Sequence, residues 1–426
     1  MHNQLISSQV LGQSYTTIRH PSGLTILLCP MQGFSTAYAL FAAKVGSIDT
    51  TFKTQADADF VTVPAGIAHF LEHKMFECED GDAFAKYAKT GASANAYTSF
   101  DRTAYLFSCS ENFEKSMEIL LSFVSQPYFT PETVAKEQGI IGQEIRMYDD
   151  SPDWRSMVNL LDALYKENPI KLDIAGTVES IAQIDADLLY RCHRTFYNLH
   201  NMVLTVAGNF EAQTVVDLVD KILPVAEDIT IERKTVAEPR EVCRKEVHQK
   251  LPVSTPQFQI GFKGMAGNET ENLLNQVKNE ILMEIICGES SPLYRRMYDS
   301  GIINSTFEYE VLAGRDYMTC MFGGESRDPN GVYRQLCQEI DRLRSEGIDK
   351  AAFERCKKAT YGRYIGMYSR VDAVASLMVI THFAGMKNMY SLLDAVRNLT
   401  LEELEVRLKE DFDCRYSAIS VIDPLS

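Results

Sequence analysis

The sequence predicts an α+β chain of two domains built on one plan, and three observations predict it. At 426 residues the chain is longer than one ordinary domain. Near 226–249 its apolar periodicity gives way to a charged, aperiodic stretch. After that break the order of strand and helix patterns echoes the order before it. We therefore expect a first domain over 1–228, a linker over 229–250 and a second domain over 251–426.

In the first half, 15–18 and 24–28 read as strands hinged at the turn-forming Pro21-Ser22-Gly23, and a third strand runs over 37–45. The polar stretch 49–63 reads as a loop. A helix follows over 66–76, then helical patterns over 81–90, 109–125 and 131–148, the last opening with Pro131 in its first turn. A helix over 186–197 precedes the apolar strand 202–207. In the second half a strand over 257–262 is followed by a long helix over 271–287, a shorter one over 292–300, Gly301, and strands over 305–312 and 317–323. That run mirrors the one from helix 66–76 through Gly91 to the hairpin beyond it.

Composition narrows the function classes. Apolar residues at 45% and charged residues at 23% are ordinary for a globular protein. A net charge of −16 with no basic run of five argues against nucleic acid, which needs clustered Lys and Arg. No stretch is long and apolar enough to span a bilayer, and 1–20 lacks the apolar core of a signal peptide, so neither a membrane nor export is expected. The ten cysteines form no C-x-x-C pair and read as reduced, mostly buried thiols, which makes the cytoplasm the expected compartment.

The chemistry concentrates in His69-Phe70-Leu71-Glu72-His73. Residues four apart on a helix share a face, so His69 and His73 can aim ring nitrogens at one metal ion, with Glu72 beside it to take a proton from a metal-activated water. The order H-x-x-E-H inverts the commoner H-E-x-x-H zinc motif. A catalytic zinc site needs a third protein ligand. Glu137 and Glu144, seven apart and so on one side of a helix, are both candidates.

These residues resemble the pitrilysin family of inverzincin metallopeptidases, which includes insulin-degrading enzyme and the mitochondrial processing peptidase. Further stretches carry the resemblance: Gly91-Ala-Ser-Ala-Asn95-Ala96-Tyr97-Thr98 with Thr103-Ala-Tyr105, Gly176-Thr177 with Ser180-Ile181, and Phe196-Tyr197 through Asn201-Met202 to Gly208-Asn209. Within the family the chain is most similar to short bacterial members. The resemblance implies two homologous α/β roll domains, each an antiparallel-rich sheet with helices packed on one face. It makes His69, His73 and Glu144 the ligands of one Zn2+ per chain and Glu72 the general base, with Glu137 beside them to accept a hydrogen bond from a liganding imidazole or from bound water. It makes Ala94, Asn95, Ala96 and Tyr97 part of an edge strand on which an extended peptide substrate adds itself. The activity implied is that of a zinc-dependent endopeptidase for short, extended or unfolded peptides.

The second half carries no H-x-x-E-H; its corresponding helix reads Leu282-Met-Glu-Ile-Ile-Cys287, so it is expected to be catalytically silent. Active relatives carry in their second half an Arg and a Tyr seven apart that bind the substrate carbonyl. Here Arg295 fits the first position, but Ile302 stands in the second, with no donor for a developing negative charge. The expected resolution is a heterodimer, a clam-shell in which a homologous chain lacking H-x-x-E-H supplies the Arg/Tyr pair; a homodimer is the alternative arrangement. A function of another class, a non-catalytic scaffold keeping the peptidase fold, is the competing reading.

Overall fold

A computed structural model describes residues 2–425 of the chain. In chain order, β1 (His2–Ser8), β2 (Gln13–Arg19), β3 (Thr25–Pro30) and β4 (Ala37–Ala43) precede helix α1 (Ile67–Met75). The hairpin β5 (Ser93–Thr98) and β6 (Thr103–Cys109) follows, then α2 (Phe113–Ser125), α3 (Pro131–Asp149), α4 (Pro152–Leu164) and β7 (Met202–Gly208). Beyond these come β8 (Glu246–Leu251), β9 (Gln257–Lys263), α5 (Glu269–Cys287), α6 (Pro292–Asp299), β10 (Glu308–Gly314), β11 (Tyr317–Glu325), α7 (Lys350–Met367), α8 (Val371–Phe383) and β12 (Ser417–Pro424).

The chain packs as two compact units, neither of them continuous in sequence. One holds the residues up to Ile145 with Asp173–Lys234 and Ile365–Tyr390; the other holds Arg146–Leu172, Thr235–Tyr364 and the chain from Ser391 on. The first unit contains a seven-stranded sheet in the order β1-β2-β3-β7-β4-β6-β5, parallel only between β3 and β7. The second contains a five-stranded sheet in the order β8-β12-β9-β11-β10, parallel only between β8 and β12. The last five strands of the first sheet and all five of the second share one arrangement: a parallel pair, two further strands, and the first strand of a hairpin at the edge. This is the mixed, antiparallel-rich α+β fold the sequence implies, with one correction: helices cover both faces of the first sheet rather than one, because α8 packs on the face opposite α2.

Each sheet receives one helix from the other half of the sequence. In β7 every residue is buried, because both faces are covered. Thr205 of β7 donates its hydroxyl to the Ala375 carbonyl of α8 at 3.1 Å, while on the opposite face Tyr105 and Phe107 of β6 meet Phe123 and Phe113 of α2. In the second unit α4 lies on β9 and β12. Gly261 of β9 permits this: a Cβ there would sit 2.7 Å from the Leu164 side chain.

Several elements depart from the sequence reading. The stretch 49–63 is not a plain loop but contains strands Thr51–Thr54 and Val61–Thr62, held because Phe52 is fully buried among otherwise polar neighbours. The helix expected over 81–90 is the short Ala83–Tyr87, capped by Asp82. Cys109 ends a strand rather than opening a helix, which starts at Phe113. The span expected as a linker supplies Ile231–Arg233, paired with Thr51–Thr54, and most of β8. The cysteines need a correction too. Cys337 and Cys414 form a disulfide, and their separation of 77 residues leaves no local motif to read. Of the free thiols Cys29, Cys109, Cys192, Cys287, Cys320 and Cys356 are buried, Cys78 is half-buried and Cys243 exposed. Among the described residues no helix is long and apolar enough to cross a membrane.

One buried histidine makes the first unit sensitive to acid. His193, on helix Ala186–Phe196, points Nε2 at the Val124 carbonyl, 3.2 Å away, and burial pushes its pKa from 6.5 down to about 4. Because the folded value lies below the unfolded one, the stability tied to its neutral form is present above 6.5 and is lost as pH falls towards 4. At pH 5 the loss is about 2 kcal/mol. His193→Gln, which keeps a donor and cannot titrate, should show a smaller drop in urea midpoint between pH 7 and pH 5 than the parent; an equal drop would contradict this.

Candidate metal centre and peptide-binding edge

Helix α1 follows its N-cap residue Gly66, whose φ of 89° lies in the left-handed region that glycine tolerates. Seven of its nine residues are buried, including His69, and Lys74 is buried against the carboxylate of Glu77. With its apolar residues fixed inward, α1 turns His69 and His73 to one side, their rings 4.6 Å apart. There they meet α3, whose Glu137 and Glu144 project two turns apart.

All five polar residues converge. His69, His73 and Glu144 each offer an atom within 4.8 Å of the others, and they are the one such group of potential metal ligands among the described residues. Nε2 of His73 lies 3.3 Å from Glu144 and Nε2 of His69 lies 3.8 Å from it. Nδ1 of His73 sits 3.0 Å from Glu137, which fixes the ring's orientation and leaves Nε2 facing Glu144. Glu72 accepts a hydrogen bond from the Thr98 hydroxyl at 2.6 Å.

Burial, reinforced by His73, pushes His69 down to about 4 and keeps it neutral, so its approach to Glu144 is no salt bridge. Its Nδ1 is buried without a hydrogen-bond partner. Burial alone would lower His73 as well, but the carboxylates of Glu137 and Glu144 outweigh it and carry that ring up to about 10. A divalent cation can take the place of that proton. Burial raises the Glu72 carboxyl above its ordinary value against the opposing bond from Thr98. Two imidazoles and one carboxylate are the donor set of a three-ligand catalytic zinc site, and the residues present fit that ion.

Strand β5 is the free edge of its sheet. Tyr105 pairs with Ala96 and Thr103 with Thr98, so Ala94, Ala96 and Thr98 share the face towards α1, while Tyr97 lies on the other face. The N–H of Ala96 is held by the side chain of its own neighbour, Asn95, at 2.9 Å, so the edge covers itself where a further strand would pair. Asn95 and Ala96 line a cavity of about 720 Å3 with Glu72, His73 and the stacked rings of Phe76 and Phe84. Arg295 stands in the second unit on α6, exposed and bonded to Asp299 at 3.0 Å; Ile302 follows that helix. Sequence reasoning missed the roles of Thr98, Phe76 and Phe84. The period-two alternation from Ala96 could have pointed to the first of these.

Residues 63–178 match the family description Insulinase (Peptidase family M16), and residues 183–360 match Peptidase M16 inactive domain. The chain belongs to peptidase family M16. A relative, the uncharacterized zinc protease YmfH of Bacillus subtilis (strain 168), is 37% identical over 410 residues, with 95% of each chain covered. The crystal structure of an M16-like peptidase from Alicyclobacillus acidocaldarius superimposes with a TM-score of 0.94 at 33% identity, covering 98% of this chain and 100% of that one. Pitrilysin shares the fold at 17% identity and a TM-score of 0.78; the match covers 99% of this chain and 46% of pitrilysin.

Glu137→Ala should weaken zinc binding about 10- to 100-fold by freeing the His73 ring, as read by competition with a chelator. An unchanged affinity would remove Glu137 from the site.

Proposed function

We propose that this M16 chain is a zinc-dependent endopeptidase that cleaves short, extended or unfolded peptides, and that it is the metal-bearing subunit of a heterodimer. The observation that carries the reading is the convergence of His69, His73 and Glu144 within 4.8 Å, beside Glu72 and the free edge of β5. A relic scaffold would have no physical reason to keep four polar groups gathered at one buried point.

His69, His73 and Glu144 would hold the zinc, and the ion would supply a Lewis acid for the peptide carbonyl and bring the pKa of a water towards neutrality. Glu72 accepts the proton of the attacking water and returns it to the leaving amine. Glu137 holds the His73 ring through Nδ1. The β5 edge offers its backbone to an extended peptide, displacing the Asn95 side chain from the Ala96 N–H. Pairing of that kind reads backbone shape, so side-chain preferences are loose and folded proteins are excluded.

The partner belongs to the same reading. Arg295 is tied to Asp299, and Ile302 has no donor to offer an oxyanion. Pitrilysin carries more than twice this chain's matched length in a single polypeptide. A second, homologous chain supplying an Arg and a Tyr would make up the rest. The cytoplasm is the compartment this reading assigns, on the eight cysteines that stay free against the one disulfide, Cys337–Cys414.

The test is an assay on an unstructured quenched peptide, with the chain alone and with a homologous chain from the same genome that lacks H-x-x-E-H, alongside zinc content. The expected result is one zinc per chain, cleavage only with the partner, and a drop of about 10²- to 10⁴-fold in Glu72→Gln with zinc retained. Full activity from the chain alone would sink the partner, and a zinc-free chain without cleavage would leave the scaffold reading.

A further inference from the structure

We propose that Thr98 is a positioning residue for Glu72, and that strand β5 thereby both receives the peptide and aims the base that deprotonates the attacking water. The inference rests on the reading of Glu72 as general base. Its starting point is the hydrogen bond from the Thr98 hydroxyl to Glu72 Oε2 at 2.6 Å, the hydrogen bond Glu72 makes among the described residues. A glutamate side chain turns about three bonds and has several rotamers; a short, charge-assisted bond to one oxygen selects one of them and leaves Oε1 to take a proton.

The donor is itself held rigidly. Thr98 is the last residue of β5, paired with Thr103, whose own hydroxyl donates to the Val45 carbonyl at 2.9 Å. The turn that follows is closed by the Ser99 N–H on the Arg102 carbonyl at 2.8 Å, and it is clamped from the far side by the N–H groups of Ser47 and Ile48 on the carbonyls of Ser99 and Phe100. Gly46 lets that clamp close, since a Cβ there would lie 2.3 Å from the Phe100 carbonyl carbon. Thr98 therefore cannot drift, and Glu72 is referenced to the same strand on which a peptide's backbone would register. Ala94 and Ala96, the residues before Thr98 on that face, are small enough to leave α1 room to bring Glu72 up to the strand.

The experiment compares Thr98→Val, Thr98→Ser, Glu72→Gln and the double variant Thr98→Val/Glu72→Gln, each zinc-loaded and in the assembly that cleaves peptide. Thr98→Val keeps the shape and deletes the donor. It should lower kcat about 10- to 100-fold with KM and zinc content within twofold of the parent. Thr98→Ser, which restores the hydroxyl, should recover most of the loss. In the Glu72→Gln background the further change Thr98→Val should cost nothing more and leave the affinity for uncleaved peptide unchanged, because Thr98 acts through Glu72. Thr98→Val at parental kcat while Glu72→Gln is inactive would overturn the positioning role and leave the peptidase reading standing. Equal losses from Thr98→Val with and without Glu72 would assign Thr98 a structural role and overturn it as well. Parental activity in Glu72→Gln would overturn the reading on which both rest.

Discussion

The contact of Gly66 with Ala175, and its counterpart between Gly176 and Ala65, is the constraint on which the rest of the site depends. A Cβ on Gly66 would fall 2.4 Å from the Ala175 carbonyl oxygen, and one on Gly176 would fall 2.5 Å from that of Ala65. Both glycines have positive φ, 89° and 74°, so two backbones touch at a point no other residue would permit. Ser180 completes the joint. Its hydroxyl reaches the Ala65 carbonyl at 2.8 Å, while Thr177 and Ser180 cap the short helix behind it. The joint fixes where α1 starts. The start and the buried face of α1 then fix the direction in which His69 and His73 point, and only that direction brings them to Glu144. The Gly176-Thr177 and Ser180 resemblance thus acquires a physical meaning: those residues seat α1, the helix that carries His69 and His73.

Duplication of the fold without duplication of the ligands follows from what each unit buries. On α5 the places that would carry imidazoles are taken by Leu282, Met283, Ile285, Ile286 and Cys287, all buried. The carboxylates α5 does carry are already satisfied. Glu284 accepts from the Tyr309 hydroxyl and lies 3.7 Å from Arg363, and Glu280 is 3.3 Å from the Tyr364 hydroxyl. Neutral donors and one guanidinium leave no gathering of lone pairs for a cation. The same strand order can therefore support a group of potential metal ligands in one unit and a closed polar cluster in the other.

The sequence disclosed those parts of the structure that local spacing controls. His69 with His73, and Glu137 with Glu144, sit at helical intervals, so their shared faces could be read directly; that the two faces meet was legible only through the resemblance. Long α5, with Asn268 and Glu271 closing its start, and the strands 202–207 and 257–262 were legible for the same local reason. The misses share a cause. Strand Thr51–Thr54 is polar apart from Phe52, and residues 3–8 of β1 include none that is fully buried, so neither has the alternation of a half-buried strand. Helices α4 and α8 cross to the sheet of the other half, a pairing set by tertiary packing. The disulfide joins residues that only the packing of Pro329–Glu346 brings near Cys414. Thr98 stood in a quoted motif, yet its bond to Glu72 depends on the hairpin's register.

The central claim is that two imidazoles and one carboxylate of this chain hold a single zinc ion. X-ray absorption at the zinc edge, on the purified chain and on its His73→Ala variant, tests it most directly. The account predicts about one zinc per chain in a shell of nitrogen and oxygen near 2.0–2.1 Å, containing two imidazoles and no sulfur, and loss of that signal in the variant. A sulfur-containing shell, or a zinc signal unchanged by His73→Ala, would contradict it.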